Sequence, residues 1–218
     1  MSINVNVEGG KTVKLATAGK YCDRDIVVTA AGASEEDLKA KYDAGVQAGM
    51  DQLLSGLIVG SYYNDRIESI APYGFGGQSS LVSVEMPNLT DALGGSVFVG
   101  CENLESVKMP AYIGSSNGYF FDGDKKLVFV DFGSPEKIAT RAFRNCNALQ
   151  TLVLRRSELV ALHSTNGFEV TNGEADASPV TVYVPSALIN RYKLATNWSP
   201  LRTSGRVTFK KLEGSDYE

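Results

Sequence analysis

Residues 98–110 read Phe98-Val-Gly-Cys-Glu-Asn-Leu104-Glu-Ser-Val-Lys-Met-Pro110, and similar stretches recur on both sides of them. An aromatic residue opens each copy, and a leucine follows six residues later at the start of a short apolar segment. The aromatic residues are spaced 23, 23 and 22 residues apart, and the residues that define the copies are Phe75, Phe98, Phe121 and Phe143 with Leu81, Leu104, Leu127 and Leu149. A period of this length with one short strand per copy is typical of a solenoid, in which each repeat packs on its neighbours.

The segments that begin at the leucines predict short strands with one buried side. Alternate side chains of a strand face opposite ways, so the inward set is Leu81, Val84, Met86, Leu104, Val107 and Met109. The side chains on the opposite, outward side form a candidate binding face: Ser83, Glu85, Ser106, Lys108, Phe129, Asp131, Thr151 and Tyr183. Val153 and Thr181 are expected on the same outward side. With strands about 4.8 Å apart, the charged members would stack as a ladder of alternating sign. Two interpretations stay open, a solvated surface with weak ion pairs or a surface that binds a partner.

Two cysteines, Cys101 and Cys146, follow their phenylalanines by three residues and lie two repeats apart. Two strand spacings amount to roughly 10 Å, whereas a disulfide needs Cα atoms within about 7 Å. We therefore expect no bond between them and predict two buried thiols that fill a turn. Gln78 and Asp124 stand at the same position in the other copies, and Cys22 has no obvious partner.

Composition and motifs argue against several function classes. The 218 residues include 25 acidic and 21 basic side chains, and a net charge of −4 disfavours a nucleic-acid partner. No apolar run is long enough to insert into a membrane, and the start of the chain does not resemble a signal peptide. His163 is the single histidine, and no CxxC, GxGxxG, Walker A or GxSxG motif occurs, so we predict no cofactor, no metal site and no enzyme.

One enzymatic alternative is a glycan hydrolase with Glu85 and Asp131 as its paired carboxylates. Their predicted separation of roughly 10 Å is longer than the carboxylate pairs of inverting enzymes. Lys108 between them would lower the pKa of both groups rather than raise one of them for acid catalysis. The many turn residues of the insert at 164–178 do not match a calcium loop.

The flanking segments predict three further units around the repeat domain at 59–185. Alternating apolar residues in 1–32 indicate a small β module for attachment, and 186–218 are predicted to be a C-terminal cap and a frayed acidic tail. In the C-terminal cap, a last strand is followed by a short helix with Ser186 as its N-cap residue, which would place Leu188, Tyr192 and Trp198 over the open end of the core. Residues 33–58 predict a connector with a helix over 34–57, either lying on its own domain or oligomerising through Leu38, Tyr42, Val46, Met50 and Leu53.

The repeat at 98–110 closely resembles a BspA-type leucine-rich repeat, and the motif Ala142-Phe-Arg-Asn-Cys-Asn-Ala-Leu149 is similar to it. The resemblance covers roughly residues 65–185 and departs from the pattern at Gln78, at Asp124 and in the stretch 157–178, which breaks the period. It implies a mainly β protein with some α structure: a short leucine-rich-repeat solenoid, preceded by a small β module and one connecting helix.

Two other segments resemble sequences of phage proteins. Residues 182–198 are similar to the closing element of short repeat domains in phage and prophage proteins, and residues 12–29 resemble attachment segments of virion proteins of Gram-positive hosts. These resemblances imply a tail-, baseplate- or fibre-associated virion protein that contacts other virion proteins through residues 1–58. Its repeat domain would recognise a host-surface protein or glycan. The alternatives are a capsid decoration or head-fibre protein, and a bacterial cell-surface adhesin.

The oligomerising alternative for the helix at 34–57 predicts that the chain assembles through its N-terminal part, and the resemblance to phage fibre and receptor-binding proteins, which are often trimers, implies a homotrimer. Light scattering on the full chain should give the mass of an oligomer, and a fragment that starts near Gly60 should be monomeric. A monomeric mass for both would contradict the trimer.

Overall fold

The computed structural model describes the backbone of residues 2–7, 11–16 and 26–27 and the complete residues 60–116, 118–169 and 177–218. Within these ranges the chain forms short strands and two helices, α1 (Ile189–Leu194) and α2 (Trp198–Thr203). The strands are β1 (Ser2–Val7), β2 (Lys11–Ala16), β3 (Ile26–Val27), β4 (Gly60–Tyr63), β5 (Ser69–Ile70), β6 (Leu81–Glu85), β7 (Asp91–Ala92), β8 (Ser106–Lys108), β9 (Phe129–Asp131), β10 (Lys137–Ile138), β11 (Thr151–Val153), β12 (Ala161–Leu162), β13 (Val180–Val184) and β14 (Val207–Lys211).

One parallel sheet of seven strands organises the described C-terminal part of the chain. Its order is β14-β13-β11-β9-β8-β6-β4, and every neighbouring pair is parallel. On another side of the repeats, β5 pairs with β7 and β10 pairs with β12, again in parallel. The fold is thus mainly β, with a parallel sheet and few helices, which fits a repeat domain; the assignment to a solenoid stays a prediction. The predicted inward residues are confirmed, since all six are at most 1% exposed.

The turn around each repeat phenylalanine has the same backbone shape in four successive copies. Two residues after the phenylalanine, φ is positive at Gly77 (72°), Gly100 (71°), Gly123 (86°) and Asn145 (59°). Glycine and asparagine are the residues that adopt this left-handed conformation most readily. Two residues before the phenylalanine, φ is also positive, although the residues are Tyr73, Ser96, Tyr119 and Arg141. The turn geometry therefore overrides the local preference at this second position.

Hydrogen bonds between these turns set the register from one repeat to the next. The N–H of Phe98 donates to Phe120 O, and the N–H of Gly100 donates to Asp122 O, both at 2.9 Å. Equivalent bonds join the copies before and after, so each turn adds a short parallel ladder beside the main sheet.

A column of stacked phenylalanine rings fills the core behind these turns. Ring centroids are 5.2 Å apart for Phe75 and Phe98, 5.3 Å for Phe98 and Phe121, and 5.2 Å for Phe121 and Phe143. Phe168 continues the column 5.2 Å from Phe143. Phe168 follows Phe143 by 25 residues, so the sequence period is broken in the stretch 157–178 as predicted, yet the longer loop still returns an aromatic ring to the next position of the column.

The C-terminal cap closes the column as predicted. Leu188, Tyr192 and Trp198 are buried, and the ring of Trp198 lies 5.9 Å from that of Phe168. The N–H of Val160 donates to Tyr192 Oη at 3.0 Å, and Trp198 Nε1 donates to Val160 O at 2.9 Å. The helical segment begins at Ser186 with a 3₁₀ turn over Ser186–Leu188, but the expected role of Ser186 as the N-cap is wrong, because Pro185 holds that position and makes no side-chain hydrogen bond. Instead, the N–H of Ser186 donates to the Glu213 carboxylate.

The C-terminal tail, residues 213–218, is ordered, so the prediction of a frayed end is wrong. The N–H of Ser215 donates to Leu212 O at 3.0 Å, and the N–H of Gly214 donates to Glu218 Oε2 at 2.8 Å. The tail follows β14, which adds one more strand to the sheet as expected for the segment at Val207 and Phe209.

The predicted strands at the N-terminus are present. β1 and β2 form an antiparallel hairpin that pairs Ser2 with Ala16, and β3 lies parallel to β1. The predicted helix at 34–57 and its candidate oligomerisation residues Leu38, Tyr42, Val46, Met50 and Leu53 lie outside the described residues. Oligomerisation through them stays a prediction. Among the described residues, no helix has the length and apolar character that crossing a bilayer requires.

The left-handed turn predicts opposite results for two glycines of neighbouring repeats. Gly100 has φ +71° and open space where a Cβ would lie, so Gly100→Ala should lower the free energy of unfolding by about 1–2 kcal/mol through backbone strain alone. Gly118 lacks a positive φ, and its Cβ would lie 3.4 Å from Thr140 O, so Gly118→Ala should leave stability unchanged or raise it by about 0.5 kcal/mol. Urea unfolding measures both, and an equal loss in the two variants would contradict the role of the turn conformation.

Candidate binding surface

The sheet aligns the predicted face residues in two rows that cross the strands. The first row joins Ser83, Ser106, Phe129, Thr151 and Thr181. The second row joins Glu85, Lys108, Asp131, Val153 and Tyr183. Both rows extend to the sheet edges, through Ser61 and Tyr63 on β4 and through Thr208 and Lys210 on β14. The predicted register is confirmed, and we call the outward side of this sheet the sheet face.

The first two charges of the predicted ladder form an exposed ion pair. Lys108 Nζ lies 3.4 Å from Glu85 Oε2, and about half of each side chain is exposed. An ion pair of this exposure contributes well under about 1 kcal/mol to stability. Both side chains therefore remain available to a partner at little cost.

The position of Asp131 differs from the prediction, which placed this residue in an exposed ladder of charges on the binding face. Its side chain is only 8% exposed, and it pairs with Arg155 rather than with Lys108. Arg155 Nη2 donates to Asp131 Oδ2 at 2.7 Å, and Arg155 Nε donates to both carboxylate oxygens. The N–H of Gly133 also donates to Asp131 Oδ1 at 3.2 Å. Asp131 is thus a buried anchor for Arg155 and not a surface charge.

The C-terminal tail lies over the middle of the sheet face. The ring of Tyr217 is 5.3 Å from that of Phe129 on β9 and 4.8 Å from that of Tyr183 on β13. A ring that contacts both strands lies above β11, the strand between them. Arg155 Nη2 donates to Tyr217 O at 2.7 Å and so ties the tail to the Asp131 pair.

The burial of Val153 reflects this cover of the sheet face by the tail. It was expected on the exposed face, but it has no exposed surface. Its outward neighbours in the row are Asp131 and Tyr183, and it is absent from the buried cluster that forms the core of the repeats. The tail therefore divides the sheet face into an open part near β4, β6 and β8 and a covered part near β11.

A second column of side chains, at the cysteine position, lies inside the repeats. Cys101 and Cys146 are fully buried as predicted; their thiols donate to Phe75 O at 2.9 Å and to Phe121 O at 3.0 Å. Burial raises the pKa of both thiols, which makes them poor nucleophiles. Between them lies Asp124, whose Oδ1 accepts from the N–H of Cys101 at 2.7 Å while its buried Oδ2 has no hydrogen-bond partner.

The groups that could support catalysis are not brought together. In the parts of the chain that the structure describes, no cluster of three or more His, Cys, Asp or Glu residues could hold a metal ion. His163 is exposed, and its Nδ1 lies 2.8 Å from Thr140 Oγ1. Glu85 and Asp131 flank Lys108 in the row, and Asp131 is committed to Arg155, so they do not act as a carboxylate pair.

The tyrosines divide into core and surface residues. Tyr62 and Tyr112 are buried, whereas Tyr63 on the sheet face and Tyr73 in a turn are 62% and 57% exposed. Tyr119 lies under two guanidinium groups, with the Cζ atoms of Arg141 and Arg144 at 5.7 and 5.3 Å from its ring centre. Asp122 and Glu169 pair with these arginines, so this cluster is close to neutral.

Sequence reasoning missed Tyr217, and for Arg155 it favoured a solvated face over contact with an acidic glycan, whereas Arg155 pairs with Asp131. The available signal was a tyrosine within an otherwise small and acidic tail, Glu213-Gly-Ser-Asp-Tyr-Glu218. An aromatic residue in such a segment indicates a contact, since nothing else in the tail can bury apolar area.

The buried carboxyl of Asp124 predicts a pH dependence of stability. Burial raises its pKa well above the usual range, mainly because the charged form loses water. Its contribution is therefore fully present below the unfolded pKa of about 3.9 and is lost as the pH rises toward the folded-state value. Asp124→Asn keeps an oxygen acceptor for Cys101, so it should be more stable than the native chain at about pH 8 and nearly equal at low pH. Urea unfolding across this range tests it, and parallel pH profiles for the two proteins would contradict it.

Comparison with known proteins identifies the repeat but not a close relative. Residues 61–166 match the BspA type Leucine rich repeat region, in six copies, over just under half of the 218 residues. No curated protein and no solved structure matches the chain. The finding confirms the resemblance of the repeats, whereas none of these comparisons links the protein to phage or virion proteins. A repeat region of this kind is generally a non-enzymatic domain and suggests protein–protein or surface binding. A BspA-type leucine-rich repeat region is therefore found at residues 61–166, the part of the chain that contains the Phe98 motif.

Proposed function

We propose that this chain is a non-enzymatic display protein whose repeats form a short solenoid and whose sheet face binds a host-surface protein or glycan. The observation that carries the proposal is the pair of residue rows that the parallel sheet holds in register. Such rows present side chains at fixed spacing from strand to strand, which is how repeat proteins build extended binding surfaces.

The open part of the sheet face is the preferred contact region. It lies on the first three strands of the sheet and combines hydroxyl groups, one exposed tyrosine and one ion pair: Ser61, Tyr63, Ser83, Glu85, Ser106 and Lys108. The hydroxyl of Ser83 donates to Ser61 Oγ at 2.7 Å. A flat aromatic ring beside hydroxyls and a weak ion pair suits a sugar or a polar protein surface.

The finer part of the proposal places the protein in a phage particle. The resemblances of residues 12–29 and 182–198 to phage sequences support a tail-, baseplate- or fibre-associated position, with residues 1–58 contacting other virion proteins. A capsid decoration or head-fibre role is a second form of the same proposal. The alternative is a bacterial cell-surface adhesin, which the BspA-type repeat supports equally. Tail or capsid genes beside the coding sequence are the expected finding, and a neighbourhood of cell-wall genes would favour the adhesin.

Binding of labelled protein to whole cells tests the role of the sheet face. We would measure the native chain against a panel of Gram-positive bacteria by flow cytometry and compare Tyr63→Ala with Tyr73→Ala. The two tyrosines are similarly exposed, but only Tyr63 lies on the sheet face. We expect roughly tenfold weaker binding for Tyr63→Ala, equivalent to about 1.4 kcal/mol, and no change for Tyr73→Ala.

Two results would contradict the proposal. Equal loss in both variants, with both folded by circular dichroism, would place the contact elsewhere. If the native chain bound none of the strains and nothing on a glycan array, the proposed recognition of a host surface would be contradicted.

A further inference from the structure

We propose that the covered part of the sheet face is a second binding site, specific for an aromatic side chain in an acidic peptide segment, which the protein's own tail occupies. The site, here called the aromatic cleft, consists of Phe129, Tyr183 and Arg155 around Val153. This inference rests on the proposed binding role of the sheet face, and it names one class of partner for it.

The aromatic cleft has the geometry of a ring-binding site. Tyr217 meets Tyr183 edge to face, with an interplanar angle of 70°, and meets Phe129 at 37°. Edge-to-face and offset arrangements at these distances are the favourable ones for aromatic pairs. Val153 on the intervening strand is completely covered, so the ring of Tyr217 removes apolar surface from water as well as contacting two rings.

Arg155 adds recognition of the peptide backbone. Its Nη2 reaches Tyr217 O while the rest of the guanidinium is held by Asp131, so the donor is fixed in position before any ligand arrives. A fixed donor costs little side-chain entropy when a ligand binds. The aromatic cleft therefore binds an aromatic ring and the backbone carbonyl of the same residue.

Charge around the cleft favours an acidic ligand. In the row that contains Val153, Lys108 lies two strands away on one side and Lys210 two strands away on the other. Glu85 balances Lys108 and Asp131 balances Arg155, which leaves Lys210 as the uncompensated charge of the row. The occupant matches this setting, since Asp216 and Glu218 flank Tyr217.

The tail is attached so that it can be exchanged. Glu213 holds the start of the tail to the N–H of Ser186, and beyond it the tail contacts the cleft only through the last residues. Gly214 has φ +71° and open space around it. A segment on so short a tether has an effective concentration in the millimolar range, so a partner displaces it when the partner's concentration relative to its Kd exceeds that effective concentration relative to the Kd of the tail.

The test uses the tail sequence as an external peptide. We would titrate Gly-Ser-Asp-Tyr-Glu, the sequence of residues 214–218, into the full-length Tyr217→Ala variant and follow assigned amide resonances by NMR. The amides of Phe129, Val153, Arg155 and Tyr183 should shift and saturate with a Kd of roughly 0.1 mM or below, since the tail occupies the cleft only if this Kd is well below its millimolar effective concentration. The native chain should need at least roughly ten times more peptide for the same shifts, because its own tail competes for the cleft. A chain ending at Glu213 keeps the contact with Ser186 and serves as a second variant.

Matched controls decide between the outcomes. The peptide Gly-Ser-Asp-Ala-Glu should leave the spectrum unchanged, and Gly-Ser-Lys-Tyr-Lys should bind several-fold more weakly. No shifts in either variant up to roughly ten times the expected Kd would overturn the site. An equal response of the native chain would overturn its occupation by the tail, and equal binding of the lysine peptide would overturn the acidic preference. Because the probe is the peptide alone, this experiment does not depend on cell binding. Saturable shifts without cell binding would contradict the proposed function but not the aromatic cleft.

Discussion

The register between successive repeats is the constraint on which the rest of the structure depends. Backbone hydrogen bonds join each turn to the next, and the stacked rings from Phe75 to Phe168 hold the turns one ring spacing apart. Because the sheet strands follow from the same turns, a single register governs the core column, the cysteine position and the outward rows. A shift of one residue in any copy would place apolar residues outside and polar residues inside.

Repeat copies that depart from the common motif keep the same register but lower the stability of the fold locally. Asp124 replaces a thiol with a carboxyl and keeps only one of its oxygens bonded, while its neighbours Cys101 and Cys146 each donate to a backbone carbonyl. Left-handed residues such as Tyr119 and Arg141 add backbone strain at a position where glycine would be relaxed. The stacking and the hydrogen bonds of the whole repeat region offset these local costs, since repeat stability is a sum over copies and their interfaces.

The ends of the repeat region use aromatic residues in two different ways. Trp198 and Tyr192 seal the core column, and both also satisfy the backbone of Val160 through their polar atoms. Burial raises the pKa of Tyr192 to about 12, so its hydroxyl stays protonated over the ordinary pH range. Tyr217 instead packs on Phe129 and Tyr183 at the outer side of the sheet, the position that we propose as an exchangeable aromatic site. Aromatic side chains thus close the core at one place and cover the sheet at another.

The sequence by itself determined the period, the inward set and the buried thiols, because a repeated pattern reports the same environment several times. Four copies of the phenylalanine and leucine spacing place Leu104, Val107 and Cys101 without any tertiary information. Only the tertiary structure decided the fate of Asp131, Val153 and Phe168. Each depends on one contact with a residue distant in sequence, namely Arg155 for Asp131, Tyr217 for the face around Val153, and a ring returned by an irregular loop for Phe168. Among the described residues each of these contacts is made in one copy and not repeated in the others, so no periodicity reports it, and together they fix which part of the sheet face is open.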